Sequence, residues 1–418
     1  MVEYLLSDPR VDPQRQDENG ITPLSYAAEE CLMGPVELLL RDPRVDPTIP
    51  SHRGQPPLSH AARAEKNNVE VIRMLLADPR VDPAHVDSCG YTALSIAASG
   101  GIVANLRELI GPDVDVNRRE MNMGGMTPLC NAANYGDAGC VELLLATPGI
   151  DVNFADNEGA GPLMYSNDSE SVTRLLIEDD RVLPNAVSNS GTTPLKSAIY
   201  SNRAEIVAVV LSHPGVDVNL ITTGRSDQEV PFLPDGESAL LRAIETATYD
   251  IVKMLIADPR FDAETANKAR WPPLVCAALY ERADLAVLLF EDGRFSVNDA
   301  GPDGHDSMWW AMHEGSVGFV WNLLVFAEKD GKADYLITGD EQVPARYKSA
   351  IKDREHPITL EEIVSLFKEF SDRARGVVSS DSPWRPCPPS PRSFVCCTFP
   401  TSETTDTSET SEASQEDM

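Results

Sequence analysis

One short string returns along most of this chain at a nearly constant spacing, and that period constrains the fold more than any other property. Its first copy is Thr22-Pro23-Leu24-Ser25-Tyr26-Ala27-Ala28, followed by Pro56-Pro57-Leu58-Ser59-His60-Ala61-Ala62 and Thr92-Ala93-Leu94-Ser95-Ile96-Ala97-Ala98. Two further full copies start at Thr127 and Pro272, and degraded ones at Gly161, Thr193, Ser238 and Ser307. Measured on the second position (23, 57, 93, 128, 162, 194, 239, 273, 308), the steps are 34, 36, 35, 34, 32, 45, 34 and 35 residues. A second string alternates with the first: Asp-Pro-Arg-Val-Asp-Pro starts at Asp8, Asp42 and Asp78 and is echoed from Asp258. A period of this length over nine copies is the signature of a stacked repeat architecture.

The chemistry of one unit follows from its residues. Thr or Ser ahead of Pro supplies an N-cap, and Pro at the first helical position has the right φ and no N–H to lose. Leu and the Ala pair then give a short helix with a small face that a neighbour can approach. A second helix follows, as at Val36 to Leu40 and Val141 to Leu145, and Pro43, Pro79, Pro148, Pro214 or Pro259 stops it. The stretches Gly149-Ile150-Asp151-Val152-Asn153 and Gly215-Val216-Asp217-Val218-Asn219 turn outward towards the next unit. A single unit cannot bury its apolar side; a stack of them can.

These strings resemble the ankyrin repeat, with its Thr-Pro-Leu-His-x-Ala-Ala helix, Leu-Leu helix and Asp-Val-Asn hairpin, and the likeness runs from residue 1 to about 330. The resemblance implies an all-α solenoid of helix-turn-helix units with β-hairpin loops. Three departures stand out. The family's His is replaced by Ser25, Ser59, Ser95, Cys130 and Lys196, so the Thr–His hydrogen bond is expected to be lost. A Pro lengthens many units by one residue, a form similar to ankyrin arrays of filamentous fungi. Arg44, Arg80 and Arg260 fall at the usual Gly position, where a non-Gly residue is expected to have to adopt the left-handed turn.

The period divides the chain. Residues 1–17 match the second half of a unit, since Val2-Glu3-Tyr4-Leu5-Leu6 parallels Val36-Glu37-Leu38-Leu39-Leu40; the notion that the chain starts within a repeat leaves an upstream portion as one expectation. Repeats fill 18–220, a Gly/Asp/Pro-rich loop is inserted over 221–235, and repeats resume over 236–334. They end in an aromatic cap built on Trp309, Trp310 and Trp321. Over 335–377 a helical extension is expected, with a capping box at Thr359-Leu360-Glu361-Glu362 and apolar residues at helical spacing from Leu360 to Phe370. The Ser/Thr/Pro-rich, acidic stretch 378–418 has the composition of a disordered tail, and Ser382 and Ser390, each before Pro, are candidate phosphate acceptors.

Composition excludes several classes of function. The formal net charge is −31, a field that repels nucleic-acid backbones and anionic lipid. Eight sparse cysteines point to reduced thiols in an intracellular, cytoplasmic setting more than to a disulfide framework, and neither a signal peptide nor a membrane span is apparent. Phosphate-loop, dinucleotide, nucleophile-elbow and zinc-protease patterns are all missing, so no catalytic residue, metal site or cofactor is expected. What remains is a surface. In the ankyrin family the hairpin tips and first helices form a concave face that binds proteins, and aromatic side chains are common anchors there. On this basis Tyr91, Tyr135, Tyr200, Trp271 and Tyr280 are the candidate partner-binding residues of a monomeric, non-enzymatic scaffold. The rival expectation is the sensor end of a larger signalling protein with an effector domain upstream.

Overall fold

The computed structural model describes residues 1–64, 68–121, 124–223, 236–267, 271–314, 316–329 and the single residue 365. Two compact units are present, Met1–Trp310 and Ala311–Met418. In the first, helices alternate with the period of the sequence. The first helices of successive repeats are Pro23–Glu29, Pro57–Arg63, Ala93–Gly100, Pro128–Asn134, Pro162–Tyr165, Pro194–Tyr200, Ala239–Thr246 and Pro273–Leu279. Their partners include Met33–Arg41, Val69–Leu76, Val103–Leu109, Ala138–Leu145, Glu170–Ile177, Ala204–Ser212, Tyr249–Ala257 and Ala283–Asp292. First helices pack on first helices and second on second, in sequence order.

Local chemistry sets where these helices begin and end. The hydroxyl of Thr22 accepts from the Ser25 amide at 3.1 Å, and Thr127 and Thr193 do the same for Cys130 and Lys196 at 3.2 Å each. Such a cap contributes about 1 kcal/mol. The expected loss of a Thr–His bond is repaired by serine: the Ser25 hydroxyl lies 3.0 Å from that of Thr22, and Ser95 closes a capping box by accepting from the Thr92 amide at 3.0 Å. Second helices end two or three residues before the proline, at Arg41, Leu76, Leu145, Ser212 and Ala257.

The core is a stripe of Leu, Ala, Ile and Val running through the stack. Leu24, Leu58, Leu94 and Leu129 are at most 1% exposed, and Val36, Ile72, Leu106, Leu144 and Leu176 are fully buried. Each such side chain stabilises the array by roughly 1.5–3 kcal/mol relative to exposure.

The arginines after the second helices act in a way their sequence position did not suggest. Arg44, Arg80 and Arg260 do not take the left-handed turn; among the described residues only Cys31, Asn202 and Glu281 do so without being glycine. Instead the preceding Asp caps the Arg amide and grips its guanidinium: Asp42 accepts from Arg44 N at 2.9 Å, Nε at 3.0 Å and Nη2 at 2.6 Å. The guanidinium, held flat, reaches the carbonyls that end the previous repeat's second helix. Arg44 donates to Leu6 and Val11, and Arg260 to Leu211, His213 and Val216. Arg80, Arg181 and Arg294 repeat the clasp on Val45, Leu145 and Ile256. A side-chain amide staples the same junction from the other direction. Asn185 donates to Gly215 O at 2.7 Å and accepts from Asp217 N at 2.8 Å; Gln14, Asn117, Asn153 and Asn219 are used alike.

The loops between repeats are fingers closed by one tight turn, as in Asp87 N to Tyr91 O at 2.9 Å and Ser188 N to Thr192 O at 2.9 Å. They stop short of strands: among the described residues pairing reaches only isolated bridges, Thr222 with Glu237 and Ala300 with Asp306. The first of these closes the base of the inserted loop, of which 224–235 lie outside the described residues. Ser307–His313 crosses the boundary between units, and in the second unit helix Val317–Lys329 buries Phe319, Trp321 and Leu324. The expected extension over 335–377, Ser365 apart, and the acidic tail with Ser382 and Ser390 lie outside the described residues.

Candidate functional site

The fingers and first helices together make the polar side of the array. Each finger pivots on a short side chain that accepts across its own turn: Asp87 Oδ1 from the amides of Cys89 and Tyr91 at 2.9 and 2.8 Å, Asp156 Oδ1 from those of Glu158 and Ala160 at 2.9 and 2.7 Å. Adjacent fingers are linked by single backbone bonds, Ser88 N to Arg53 O at 3.0 Å and Asn189 N to Glu158 O at 2.8 Å. Gly90 needs to be glycine, because its φ is +89° and a Cβ would lie 2.3 Å from Met121 N. At the pivot of the next finger stands Glu120, whose amide donates to Met126 O at 3.0 Å.

Three pivots in succession are therefore carboxyls: Asp87, Glu120 and Asp156, exposed by only 6%, 2% and 5%. Their partners are neutral. Gln55 Nε2 donates to Asp87 Oδ2 at 2.8 Å, Asn131 Nδ2 to Glu120 Oε1, and the Tyr165 hydroxyl to Asp156. Among the described residues no ion pair is formed by any of the three. Burial, with Asp87 adding to it against the hydrogen bonds, pushes the Glu120 carboxyl up to about 7. Cys130 is raised to about 11 by burial, with Asp156 and Glu120 contributing. Glu120 Oε2 is buried and has no hydrogen-bond partner.

Further along, the same position is wired differently. Lys196 replaces the small residue on the first helix and is 4% exposed. Its ammonium donates to Thr222 Oγ1 at 2.7 Å and lies 3.5 Å from Gly191 O and 3.7 Å from Glu237 Oε2. Burial lowers it to about 8, with Glu237 opposing. Glu237 also pairs with Arg242 at 2.9 Å, and Arg242 with Glu245 at 3.1 Å.

The candidate tyrosines fall into two groups. Tyr91 and Tyr135 flank Glu120; burial raises the Tyr91 hydroxyl, with Glu120 and Tyr135 next in effect. Tyr200 and Tyr280 flank Arg242, whose guanidinium is 5.9 Å from the Tyr200 ring centroid, while the Tyr280 hydroxyl bonds Glu245. Tyr135 and Tyr200 are exposed by 62% and 71%, Tyr91 and Tyr280 only partly. Trp271 does not belong to this surface. Its indole is 6% exposed and lies edge-on to Trp310 at 6.0 Å, because a large apolar ring beside a repeat junction gains more from the core than from water. Tyr26, 59% exposed on the first helix, has the accessibility that Trp271 lacks and was signalled only by its place in the repeat. Glu120, Lys196 and Arg242 were not legible as site residues. Among the described residues no cluster of three or more His, Cys, Asp or Glu is placed to hold a metal, and no helix is long and apolar enough to cross a membrane.

Comparison with known proteins places this architecture. The family model for ankyrin repeats (three copies) matches residues 1–85, 64–156 and 129–222. The chain belongs to the ankyrin-repeat family. It is 30% identical over 198 residues to alpha-latrocrustotoxin-Lt1a of Latrodectus tredecimguttatus, covering 44% of this chain and 13% of the toxin. Zinc finger CCCH domain-containing protein 24 of Oryza sativa subsp. japonica is 29% identical over 176 residues, 38% of this chain and 23% of that protein. The ankyrin chain thus spans less than a quarter of the length of either relative. Among solved structures, the human ASB11 ankyrin repeat domain matches with 19% identity and a TM-score of 0.47, over 58% of this chain and 100% of that one. Ankyrin repeats are in general protein–protein interaction modules.

Proposed function

We propose that this protein is a non-enzymatic scaffold that recognises another protein through its fingers and first helices. The observation that carries the reading is the exposure of three tyrosines, Tyr26, Tyr135 and Tyr200, at or just after the first helices of their repeats. An exposed tyrosine offers a large, stiff, amphipathic contact at low entropic cost. Recognition here consists of many weak contacts presented by a stack already ordered before binding, with no bond made or broken. In this reading the array acts as a monomer inside the cell and, with a net charge of −31, has neither nucleic acid nor membrane as its partner.

The test is affinity capture with the full chain, partners being identified by mass spectrometry, against the double variant Tyr135→Ala, Tyr200→Ala. Capture is expected to fall while far-UV circular dichroism stays unchanged. Equal recovery of the same partners by both forms would remove the tyrosines from the interface.

A second reading has one observation in its favour: in both relatives the matched stretch is a minor part of a longer chain. On that reading this array is the recognition end of a signalling protein. Mapping the N-terminus of the endogenous protein decides it, since a start at Met1 counts against an upstream effector domain.

A further inference from the structure

The repeat supplies its own template for what Glu120 lacks. Counting from the N-cap, Ser95 corresponds to Lys196, Gly90 to Gly191, and the pivot Glu120 to the pivot Thr222. In the later repeat a lysine crosses between two fingers and seats its ammonium on the carbonyl of Gly191, the hydroxyl of Thr222 and the carboxylate of Glu237. In the earlier repeat the side chain at that position is a serine, a neutral hydroxyl that lies 3.0 Å from the Thr92 carbonyl and also stands against the Glu120 carboxyl, favouring its charged form against burial. By this correspondence the carbonyl of Gly90 and the carboxyl of Glu120 are the counterparts of the Lys196 site, and among the described residues no cation pairs with Glu120.

We propose that the foot of the Glu120 finger is a receptor for a basic side chain, lysine or arginine, carried by a polypeptide bound along the fingers and first helices. This rests on the recognition reading above and adds the chemistry of the partner. Three observations converge. Glu120 is 2% exposed, yet its Oε2 makes no hydrogen bond of good geometry; what stands against the carboxyl is the Ser95 hydroxyl, already turned to Thr92 O, so the buried acceptor is poorly satisfied. The carboxyls of Asp87 and Asp156 lie to either side of it, with Tyr91 and Cys130 as further titratable neighbours. Of the two arginines that precede it in the finger, Arg119 is turned to Ala155 O and the Phe154 ring, and no ion pair joins either to Glu120 among the described residues. The rim carries Tyr135 and Met121, exposed by 62% and 79%, apolar surface over which the methylene stem of a lysine can lie. The tyrosine rings add cation–π attraction for the head group. A cation arriving here completes the arrangement that Lys196 already makes within the fold, and the chain's negative field draws such a partner in.

The experiment uses the full chain and a fluorescein-labelled Gly-Ser-Lys repeat peptide, read by fluorescence anisotropy at physiological salt and pH 8. Glu120→Gln keeps the bond from Asn131 and removes the charge; Ser95→Lys fills the site from within; Glu158→Gln changes the net charge by the same amount as Glu120→Gln at an exposed fingertip. We expect binding to weaken at least about tenfold in Glu120→Gln and in Ser95→Lys, and less than about twofold in Glu158→Gln. The same peptide with norleucine for lysine should not bind. Equal affinity of wild type and Glu120→Gln overturns the proposal, as does equal weakening by Glu158→Gln or equal binding of the norleucine peptide. If the tyrosine variants lower partner capture while Glu120→Gln leaves lysine-peptide binding intact, the recognition surface stands and the receptor falls. Should Glu120→Gln weaken the peptide and the tyrosine variants leave capture intact, the receptor stands and the tyrosines are misplaced.

Discussion

At the foot of the fingers around Glu120, three buried carboxyls in a row meet only neutral donors; at the foot of the finger after Pro194, Lys196 and Arg242 stand beside Glu237. The backbones at the two places share a Thr cap, a short first helix and a finger whose base is paired, though the later finger carries the inserted loop between Thr222 and Glu237. The polar positions differ: Ser95, Glu120 and Met126 in the earlier region stand where Lys196, Thr222 and Glu237 stand in the later one. The contrast shows that the stack does not depend on how its polar side is wired. A carboxyl taken out of water without a cation responds by holding its proton, which is why Glu120 is raised to about 7. A lysine taken out of water responds in the opposite sense, and Lys196 is lowered to about 8 even with Glu237 opposing. Polar wiring is therefore free to diverge between repeats, and an interaction surface is where divergence is useful.

If packing holds both regions equally, the largest effects should be the same in each. Leu144, near the Glu120 finger, and Leu255, after the Lys196 finger, are both fully buried. Truncating either to Ala removes methyl groups from a packed stripe and is expected to cost about 2–5 kcal/mol. Neighbouring repeats should be lost with the mutated one, because each repeat relies on the next for its apolar cover. Urea titrations of Leu144→Ala and Leu255→Ala, followed by hydrogen exchange, check this; a large loss in one region and none in the other would break the equivalence.

Titration separates the two feet. Glu120 sits near 7 in the folded chain against an ordinary value of 4.5, so between these pH values the folded state binds more protons than the unfolded. Stability must then fall as pH rises through that window and level off above it. Glu120→Gln should be the more stable protein at pH 8, by up to about 3 kcal/mol, and the gap should close as pH drops towards 4.5. Lys196, lowered to about 8 from 10.5, gives the reverse: between these values the unfolded state binds more protons, and stability rises with pH. Lys196→Gln should flatten that rise. Denaturant midpoints across pH 4 to 11 would show both slopes, and a Glu120→Gln advantage independent of pH would mean that this carboxyl is not the group titrating.

The stack was legible in the sequence because its causes are local or periodic. Thr22, Pro23 and Leu24 announce a capped helix, and Pro43 announces its end, within a few residues of each other. The feet were not legible, since their partners lie a repeat apart: Lys196 meets Thr222 and Glu237, and Ser95 faces Glu120, only after stacking. The aromatic candidates were half legible for the same reason. Helix position alone put Tyr135 and Tyr200 outside correctly, but Trp271 is withdrawn by Trp310, a contact that no helical spacing predicts. Arg44 and Arg260 illustrate the third kind of miss. Read as turn residues, they seemed to strain the backbone; the Asp two places earlier instead aims each guanidinium at the previous repeat.

That clasp is common to both regions, so it offers the finest test of whether they differ only at the fingers. Arg260 holds Asp258 and three carbonyls of the preceding repeat, and Arg44, on the other side of the Glu120 finger, holds Asp42 and two. Arg10 has the same Asp grip, 2.7 Å to Asp8, but its side chain is 88% exposed. Bonds from a charged donor to otherwise uncapped helix carbonyls contribute about 1–3 kcal/mol, whereas an exposed pair contributes under about 1. Arg260→Ala should therefore lower stability by about 1–2 kcal/mol after partial exposure is allowed for, Arg44→Ala should lower it in the same direction, and Arg10→Ala should leave the denaturation midpoint nearly unchanged. Lysine should not rescue Arg260, because a point charge cannot satisfy a carboxylate and several carbonyls in one plane. Chemical denaturation of the three Ala variants and Arg260→Lys decides the matter. A loss at Arg10 equal to that at Arg260 would show that the Asp–Arg grip alone matters, and that reaching across the junction adds nothing.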